Sequence, residues 1–431
     1  MQSAVNLWPL LGVVVIVVGF VLRSPFFFGL DGTLGALVGD TPSKPYGGGE
    51  ELAWSPDSRT VYFALREAGR IESTSTNLDI FSAPADGSAA PTNLTADDVH
   101  ETPLFRVDAQ TGKVQRLTGE GHVSAVAVVP KGAVVAMNSL VAPDDYYMIS
   151  KPKQAQRLTS VNVDKLAGID MQTVSRFSFT GANNDTVYGY AVKPAGATGK
   201  VPVAYMVHGG PQGSSNNSWS YRWNPAVFAG AGYGLVAVDF HGSTGYGQAF
   251  TDAIRDNWGG WPLEDLQKGL AAATAKFGWL DGDNACALGA SYGGYMMNWI
   301  EGQWPDRFKC IVQHDGVFDA RAMAYETEEL WFDEWEHGGK TYYEDPAAFE
   351  KWNPVNHVAA WKTPQLVITS EKDFRIPYTQ GLAAFTALQR RDIPSRLLVF
   401  PNENHWVLKP KNSRQWYREV LGWMGKWTGP K

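Results

Sequence analysis

The 431-residue chain has only two cysteines, Cys286 and Cys310. Each lies inside an apolar, strand-like run, which predicts two buried thiols rather than a disulfide. Among its eight histidines there is no H-E-x-x-H and no cysteine/histidine pairing at ligand spacing, so neither a metal nor a cofactor is expected. No basic stretch is interleaved with aromatics, and the formal net charge is −7. Nucleic acid is therefore excluded as the expected partner.

Charge is also missing from the first 22 residues, Arg23 being the first charged side chain. Leu7 to Leu22 is an unbroken apolar or small-residue run apart from Pro9. A bilayer-spanning helix needs about 20 such residues, with roughly 17 as the lower limit. An export signal would carry lysine or arginine before its apolar core and a small-residue cleavage site after it, and neither is clear here. Residues 1–30 are thus expected to anchor the chain in a membrane, with an export signal or a buried apolar segment as alternatives. The expected location is membrane-anchored or exported, on the periplasmic side, with the cytoplasm as the alternative. Residues 31–50, rich in glycine, proline and small residues, read as a linker.

Residues 51–165 read as short strands and turns. Asp79 to Ala83 ending at Leu94-Thr95, Leu104 to Asp108 ending at Leu117-Thr118, and Tyr146 to Ser150 ending at Leu158-Thr159 are copies of one element. The Leu-Thr pairs stand 23 and 41 residues apart, and a propeller blade takes about 40 to 45. Leu52 to Phe63, with a turn at Ser55-Pro56-Asp57-Ser58, reads as the inner hairpin of a blade, and no equivalent precedes Leu104. The stretch holds roughly three blades where closure takes at least about four. An incomplete β-propeller-like region with open edges is expected, and open edges favour association into a homo-oligomer.

From Val201 onward strand runs alternate with helix-length segments, which predicts an α/β domain over 176–431 with a doubly wound, mostly parallel sheet. Pro262 to Lys276, Tyr378 to Arg390 and Arg414 to Lys426 are its helix candidates. Within it, Gly289-Ala290-Ser291-Tyr292-Gly293 follows the strand run Asn284 to Leu288 and precedes the helix run Tyr295 to Ile300. A serine on a sharp strand-to-helix turn is crowded by the residues two before and two after it, hence the glycines.

A serine hydroxyl needs a base to take its proton, and a histidine oriented by a carboxylate supplies one. Asp373 follows the strand run 364–370, and His405 follows the strand run 395–400. Their order and placement after strands are those of an α/β-hydrolase triad: Ser291 as nucleophile, Asp373 as acid, His405 as base. The strand run 201–207 leads into His208-Gly209-Gly210-Pro211. The N–H groups of Gly210 and Tyr292 are the expected oxyanion-hole donors.

Together with Asp239 to Gly247, Gly289 to Met296, Glu371 to Pro377 and Asn404-His405, the His208 loop resembles the prolyl oligopeptidase family of serine peptidases. The closest likeness is to its bacterial dipeptidyl-peptidase 5 and acylaminoacyl-peptidase branch, which the run Glu326 to Phe332 strengthens. The resemblance implies an α/β-hydrolase capped by a propeller that cleaves short peptides through an acyl-enzyme. It also implies apolar walls at Phe318 and Ile376, with Tyr292 sharing that pocket. His241 stands where relatives often carry arginine, and is expected to be structural. The apolar N-terminal run and the shortened repeats do not match the family.

Fifteen of the seventeen tryptophans lie beyond residue 200 and are expected to pack in the core. Glu326, Glu328, Glu329, Asp333, Glu334 and Glu336 read as a solvated helical face. Three functions fit: a serine peptidase, an esterase or acyl-hydrolase of the same fold, and a catalytically silent, membrane-tethered interaction protein.

Overall fold

The computed structural model of the protein describes residues 52–55, 57–66, 78–89, 91–93, 102–107 and 113–429. The apolar run 7–22, the linker and the Leu94-Thr95 pair lie outside the described residues. Among the described residues no helix is long and apolar enough to cross a membrane.

The chain divides into two compact units, with residues 52–93 in the first and Gln115 onward in the second. In the first, β1 (Leu52–Trp54), β2 (Thr60–Arg66), β3 (Leu78–Pro84) and β4 (Thr92–Asn93) form a four-stranded antiparallel meander. Val61 and Phe63 on β2 and Phe81 and Ala83 on β3 alternate inward, as a period of two requires. Register puts Phe63 opposite Phe81, and their rings stack at 5.8 Å. The hairpin turn closes as expected at Ser55, whose carbonyl accepts from the Ser58 N–H at 2.8 Å.

A two-stranded sheet follows, of β5 (Phe105–Val107) and β6 (Val114–Arg116). The next sheet has the order β10-β9-β8-β7 and is antiparallel throughout: β7 (His122–Val129), β8 (Gly132–Ser139), β9 (Ala142–Lys151) and β10 (Gln154–Arg157). The sequence repeat has a structural cause here. Thr118 Oγ1 accepts from the Leu104 N–H at 2.8 Å, and Thr159 Oγ1 accepts from the Tyr146 N–H at 2.9 Å. In both copies the preceding arginine folds back, so that Arg116 and Arg157 donate from Nε to the carbonyls of Thr118 and Thr159. Each threonine hydroxyl thus satisfies a backbone N–H of the segment facing it. This sheet docks on the hydrolase part of the second unit through polar contacts. Leu140 N–H donates to Asn217 Oδ1 at 3.1 Å, and Trp219 N–H donates to Asn138 Oδ1 at 2.9 Å.

The remaining strands form one eight-stranded sheet: β11 (Thr173–Thr180), β12 (Thr186–Lys193), β13 (Val201–Val207), β14 (Gly234–Asp239), β15 (Leu280–Ala290), β16 (Cys310–His314), β17 (Gln365–Ser370) and β18 (Ser395–Phe400). Their order is β11-β12-β14-β13-β15-β16-β17-β18. The six strands from β14 to β18 pair in parallel, and β11 and β12 form an antiparallel edge. This is the doubly wound, mostly parallel sheet of an α/β-hydrolase.

Alternation along each strand feeds two cores, one on each face. Val203, Tyr205, Val207, Ala285 and Ala287 pack against α2 (Trp261–Lys276) and α3 (Tyr292–Gln303). Their neighbours Ala204, Cys286, Leu288 and Val312 pack against α1 (Pro225–Gly230) and α7 (Pro410–Thr428). Helix α7 presents Trp416, Val420, Trp423 and Met424 to the sheet, the i, i+4, i+7, i+8 stripe of an amphipathic helix. Truncating a wholly buried side chain such as Leu270 to alanine costs about 2 to 5 kcal/mol. The three expected helices are present, α7 longer at both ends than its apolar stripe indicated, and α6 (Tyr378–Arg390) with the expected bounds.

The two cysteines depart from expectation. Cys286 on β15 and Cys310 on β16 are register partners with Cα atoms 4.7 Å apart, and they form a disulfide. Each thiol is buried as the sequence indicated, but the parallel pairing that sets them side by side on one face belongs to the sheet. The tryptophans pack largely as expected: Trp258, Trp299, Trp335, Trp361, Trp416 and Trp423 are all buried.

Candidate active site

Ser291 sits between β15 and α3 with φ 60° and ψ −124°, a strained backbone for a residue with a side chain. Two glycines permit the turn. A Cβ on Gly289 would stand 2.5 Å from the Gly293 carbonyl oxygen, and one on Gly293 would overlap the Val207 carbonyl oxygen. The turn is pinned from β16, whose His314 carbonyl accepts from the Ser291 N–H at 3.0 Å.

Asp373 follows β17 and is buried. Its Oδ1 accepts from the N–H groups of Arg375 and Ile376 at 3.0 Å each. Its Oδ2 lies 2.6 Å from Nδ1 of His405, which follows β18. A carboxylate accepts only, so Nδ1 carries the proton and donates it to Asp373. Nε2 of the neutral ring is then the basic nitrogen. Ser291 and His405 line one cavity of about 620 Å³, together with Gly209, Gly210 and Tyr292. The sheet thus brings the expected nucleophile, base and oxyanion donors to one opening, with the acid directly behind the base.

The oxyanion loop is held from beneath by His208. Nδ1 of His208 is 2.8 Å from the Gly209 carbonyl and therefore donates to it, while Nε2 accepts from the Ser243 hydroxyl at 2.9 Å. Burial keeps His208 below its ordinary pKa, against the pull of Asp239, so the ring stays neutral in this role. Gly210 has φ 124°, a conformation that suits only glycine, and it precedes a cis peptide bond to Pro211.

Trp258, Tyr292, Val317, Met323, Phe332 and Ile376 give the cavity its apolar wall. Ile376 and Tyr292 lie where the family resemblance put them. Phe318 does not. It packs instead with Trp361, Val367 and Leu388 in a separate cluster, its ring 5.6 Å from that of Trp361. Successive residues leaving β16 face opposite ways, so Val317 takes the wall and Phe318 turns into the core. Gln212, Arg222, Glu329, Asp333 and Arg375 give the cavity its polar groups. Glu329 pairs with Arg375 at 3.0 Å. Arg375 also lies over the Trp406 ring, 5.5 Å from its centre, and so borders the mouth of the site.

Other groups near the site had no clear signal in the sequence. Asp315 is buried directly after β16, within 4.8 Å of ligand atoms of Asp373 and His405. Burial, and then the charge of Asp373, push its carboxyl well above the usual range, so it is the neutral member of the pair. His314 Nε2 stands 2.8 Å from Asp315 Oδ2 without the alignment of a hydrogen bond. Burial lowers His314 to about 3, which keeps it uncharged. Asp315, Asp373 and His405 are also close enough to share a cation. The Asp373–His405 hydrogen bond already uses the facing oxygen and nitrogen, which favours the triad arrangement.

The acidic cluster is not one solvated face. Glu326, the last residue of α4 (Ala320–Glu326), and Glu328 are exposed, but Asp333 and Glu336 on α5 (Leu330–Glu336) are buried. Burial raises Asp333 to about 7 and Glu336 to about 8. His241 is structural, as expected. It lies away from the cavity, with Nδ1 2.6 Å from Asp265 Oδ2 and Nε2 3.1 Å from Asp185 Oδ2.

A strained serine at a strand-to-helix turn, a histidine held by an acid and glycine-lined donors on this sheet form the arrangement of a serine-nucleophile hydrolase site. Residues 219–431 match the prolyl oligopeptidase family, and that stretch of the chain belongs to it. Among curated proteins, the chain is 43% identical over 337 residues to dipeptidyl-peptidase 5 of Schizosaccharomyces pombe, covering 77% of this chain and 49% of the relative. It is 36% identical over 406 residues to dipeptidyl-peptidase 5 of Aspergillus fumigatus, covering 92% of this chain and 52% of the relative. The chain spans about half the length of these relatives. Among solved structures, the acylaminoacyl peptidase of Pyrococcus horikoshii superimposes with a TM-score of 0.77 at 20% identity, covering 87% of this chain and 63% of that one. A Mycobacterium tuberculosis puromycin-hydrolyzing peptidase gives 0.69 at 18%, covering 88% and 71%. At such identities the likeness is one of fold.

Proposed function

We propose that the protein is a serine peptidase that cleaves short peptides by acyl transfer. Ser291 attacks the scissile carbonyl, and Nε2 of His405 takes its proton and returns it to the leaving amine. Asp373 holds the imidazole and steadies its charge, and the N–H groups of Gly210 and Tyr292 receive the oxyanion. Water then releases the acyl group by the same route. The observation that carries this reading is the 2.6 Å Asp373–His405 bond beside a cavity lined by both Ser291 and His405.

Two features support a short peptide with an apolar residue before the scissile bond. One is the apolar wall of the cavity, and the other is the dipeptidyl-peptidase name of the curated relatives. Labelling with a fluorophosphonate, followed by peptide mapping, is expected to modify Ser291 alone. A folded protein left unlabelled would remove the peptidase reading. Free dipeptidyl and N-acetyl-aminoacyl fluorogenic amides then separate dipeptidyl from acylaminoacyl release. The apolar run 7–22 supports attachment to a membrane or export across one. Release of the chain from membranes by carbonate would remove the anchor and leave export.

A further inference from the structure

Glu336 is the last residue of α5 and is wholly buried. A buried carboxyl is costly unless its oxygens are satisfied, and both of these are. Oε1 accepts from the Gln212 side-chain amide at 2.6 Å, and Oε2 accepts from the indole N–H of Trp258. Its own carbonyl accepts from the Asp256 N–H at 2.9 Å, two residues before that tryptophan.

The two donors belong to the two halves of the oxyanion hole. Gln212 lies two residues beyond Gly210, on the loop that carries the first donor. The carbonyl of Trp258 accepts the hydroxyl of Tyr292 at 2.6 Å, and their rings meet edge to face at 5.2 Å. Tyr292 carries the second donor. These segments lie far apart in the chain, and a single carboxyl ties both to the end of α5.

We infer that Glu336 is a positioning residue that fixes the spacing of the oxyanion hole, holding the Gly210 loop through Gln212 and Tyr292 through Trp258. The inference rests on the peptidase reading for its catalytic consequence, but the clamp itself is a property of the resting protein. Asp333 on the same helix, Arg255 and the Tyr292 hydroxyl are the titratable groups that face Glu336 electrostatically. Arg255 opposes the rise that burial imposes on the carboxyl.

Three variants test it. Glu336→Leu removes both acceptors and fills similar volume. Glu336→Gln can keep both contacts, accepting from Trp258 while Gln212 turns its own amide to accept from the new NH₂. Gln212→Met cuts only the loop arm and leaves the buried carboxyl bonded to Trp258, so it answers the question even if Glu336→Leu does not fold. Hydrogen exchange of the Gly209, Gly210 and Gln212 amides in the resting protein is expected to speed up about tenfold or more in Glu336→Leu and in Gln212→Met. In Glu336→Gln it should stay near the wild-type rate.

On a fluorogenic peptide, kcat should fall about 10- to 100-fold in Glu336→Leu and Gln212→Met, with KM within about threefold of wild type. Losing a donor outright costs about 100- to 1,000-fold, and displacing one costs less. Glu336→Gln should recover most of the loss. Unchanged loop exchange in Gln212→Met and in any folded Glu336→Leu would overturn the clamp. So would a fall in melting temperature with kcat intact, because that is what a merely structural carboxyl gives. Faster loop exchange in the variants, with a wild-type protein that a fluorophosphonate never labels, would sustain the clamp and sink the peptidase reading instead.

Discussion

His405 and Asp373, on loops after neighbouring parallel strands, face each other with Nδ1 and Oδ2 2.6 Å apart. Because Asp373 accepts only, it selects the imidazole tautomer whose free nitrogen is Nε2. Asp373→Asn would present an amide that can also donate to Nδ1 and so stabilise the wrong tautomer. The expected loss in kcat is about 10⁴-fold at neutral pH, with KM little changed. An effect below tenfold on a fluorogenic peptide would mean that another acid orients His405.

Backbone strain at Ser291 separates activity from stability. With φ 60° and ψ −124°, this position suits glycine better than any residue with a Cβ. Ser291→Gly is expected to be inactive yet about 1 kcal/mol more stable than Ser291→Ala by urea unfolding. Equal stabilities would show that the turn carries no strain of that size.

Asp315 gives a pH signature. Its carboxyl is raised by burial and by Asp373, so the folded protein holds a proton that the unfolded chain releases above about 3.9. Stability is therefore lost as pH climbs from that value toward the folded pKa. Asp315→Asn mimics the neutral acid, and should keep kcat/KM within about threefold at pH 7 while gaining stability there relative to wild type. Loss of activity with no gain in stability would mean that Asp315 is ionised in the working enzyme.

For His241 the sign runs through a base. Burial pulls it down, but the bonds to Asp265 and Asp185 outweigh that and hold it above its ordinary value. Its contribution is fully present below about 6.5 and fades as pH rises through the folded pKa. Asp185 is lowered by the same bond, so its share is lost in the opposite direction, as pH falls. Against His241→Leu, wild type should be more stable by roughly 1.5 to 3 kcal/mol near pH 6. By pH 9 the advantage should shrink, a trend that urea titrations at the two pH values would show or refute.

The Cys286–Cys310 bond predicts that the denatured, unreduced protein gives no reaction with a thiol reagent, and that prior reduction yields two thiols. Two thiols before reduction would restore the pair of free cysteines that the sequence alone indicated.

Most of the hydrolase was legible because its signals are local. Ser291 needs small neighbours two residues either side, the triad members follow β-rich runs, and α7 announces itself by apolar periodicity. The repeated Leu-Thr element was legible too, since the Leu117-Thr118 and Leu158-Thr159 copies make the same hydrogen bonds. What could not be read depends on which segments meet. Cys286 and Cys310 needed the parallel register of β15 and β16. Val317 replaced Phe318 at the cavity because side-chain direction after a strand is set by the path of the backbone.

The sequence by itself determined the order of nucleophile, acid and base, the glycines that the elbow requires, and the alternation that builds a two-faced sheet, since each follows from neighbours in the chain. Only the tertiary structure decided the role of Glu336. On its helix it looks like one more surface acid, and it becomes a buried link once Gln212 and Trp258 converge on it. Burial and partnership are properties of the assembled fold, because they depend on residues far apart in sequence arriving at one place.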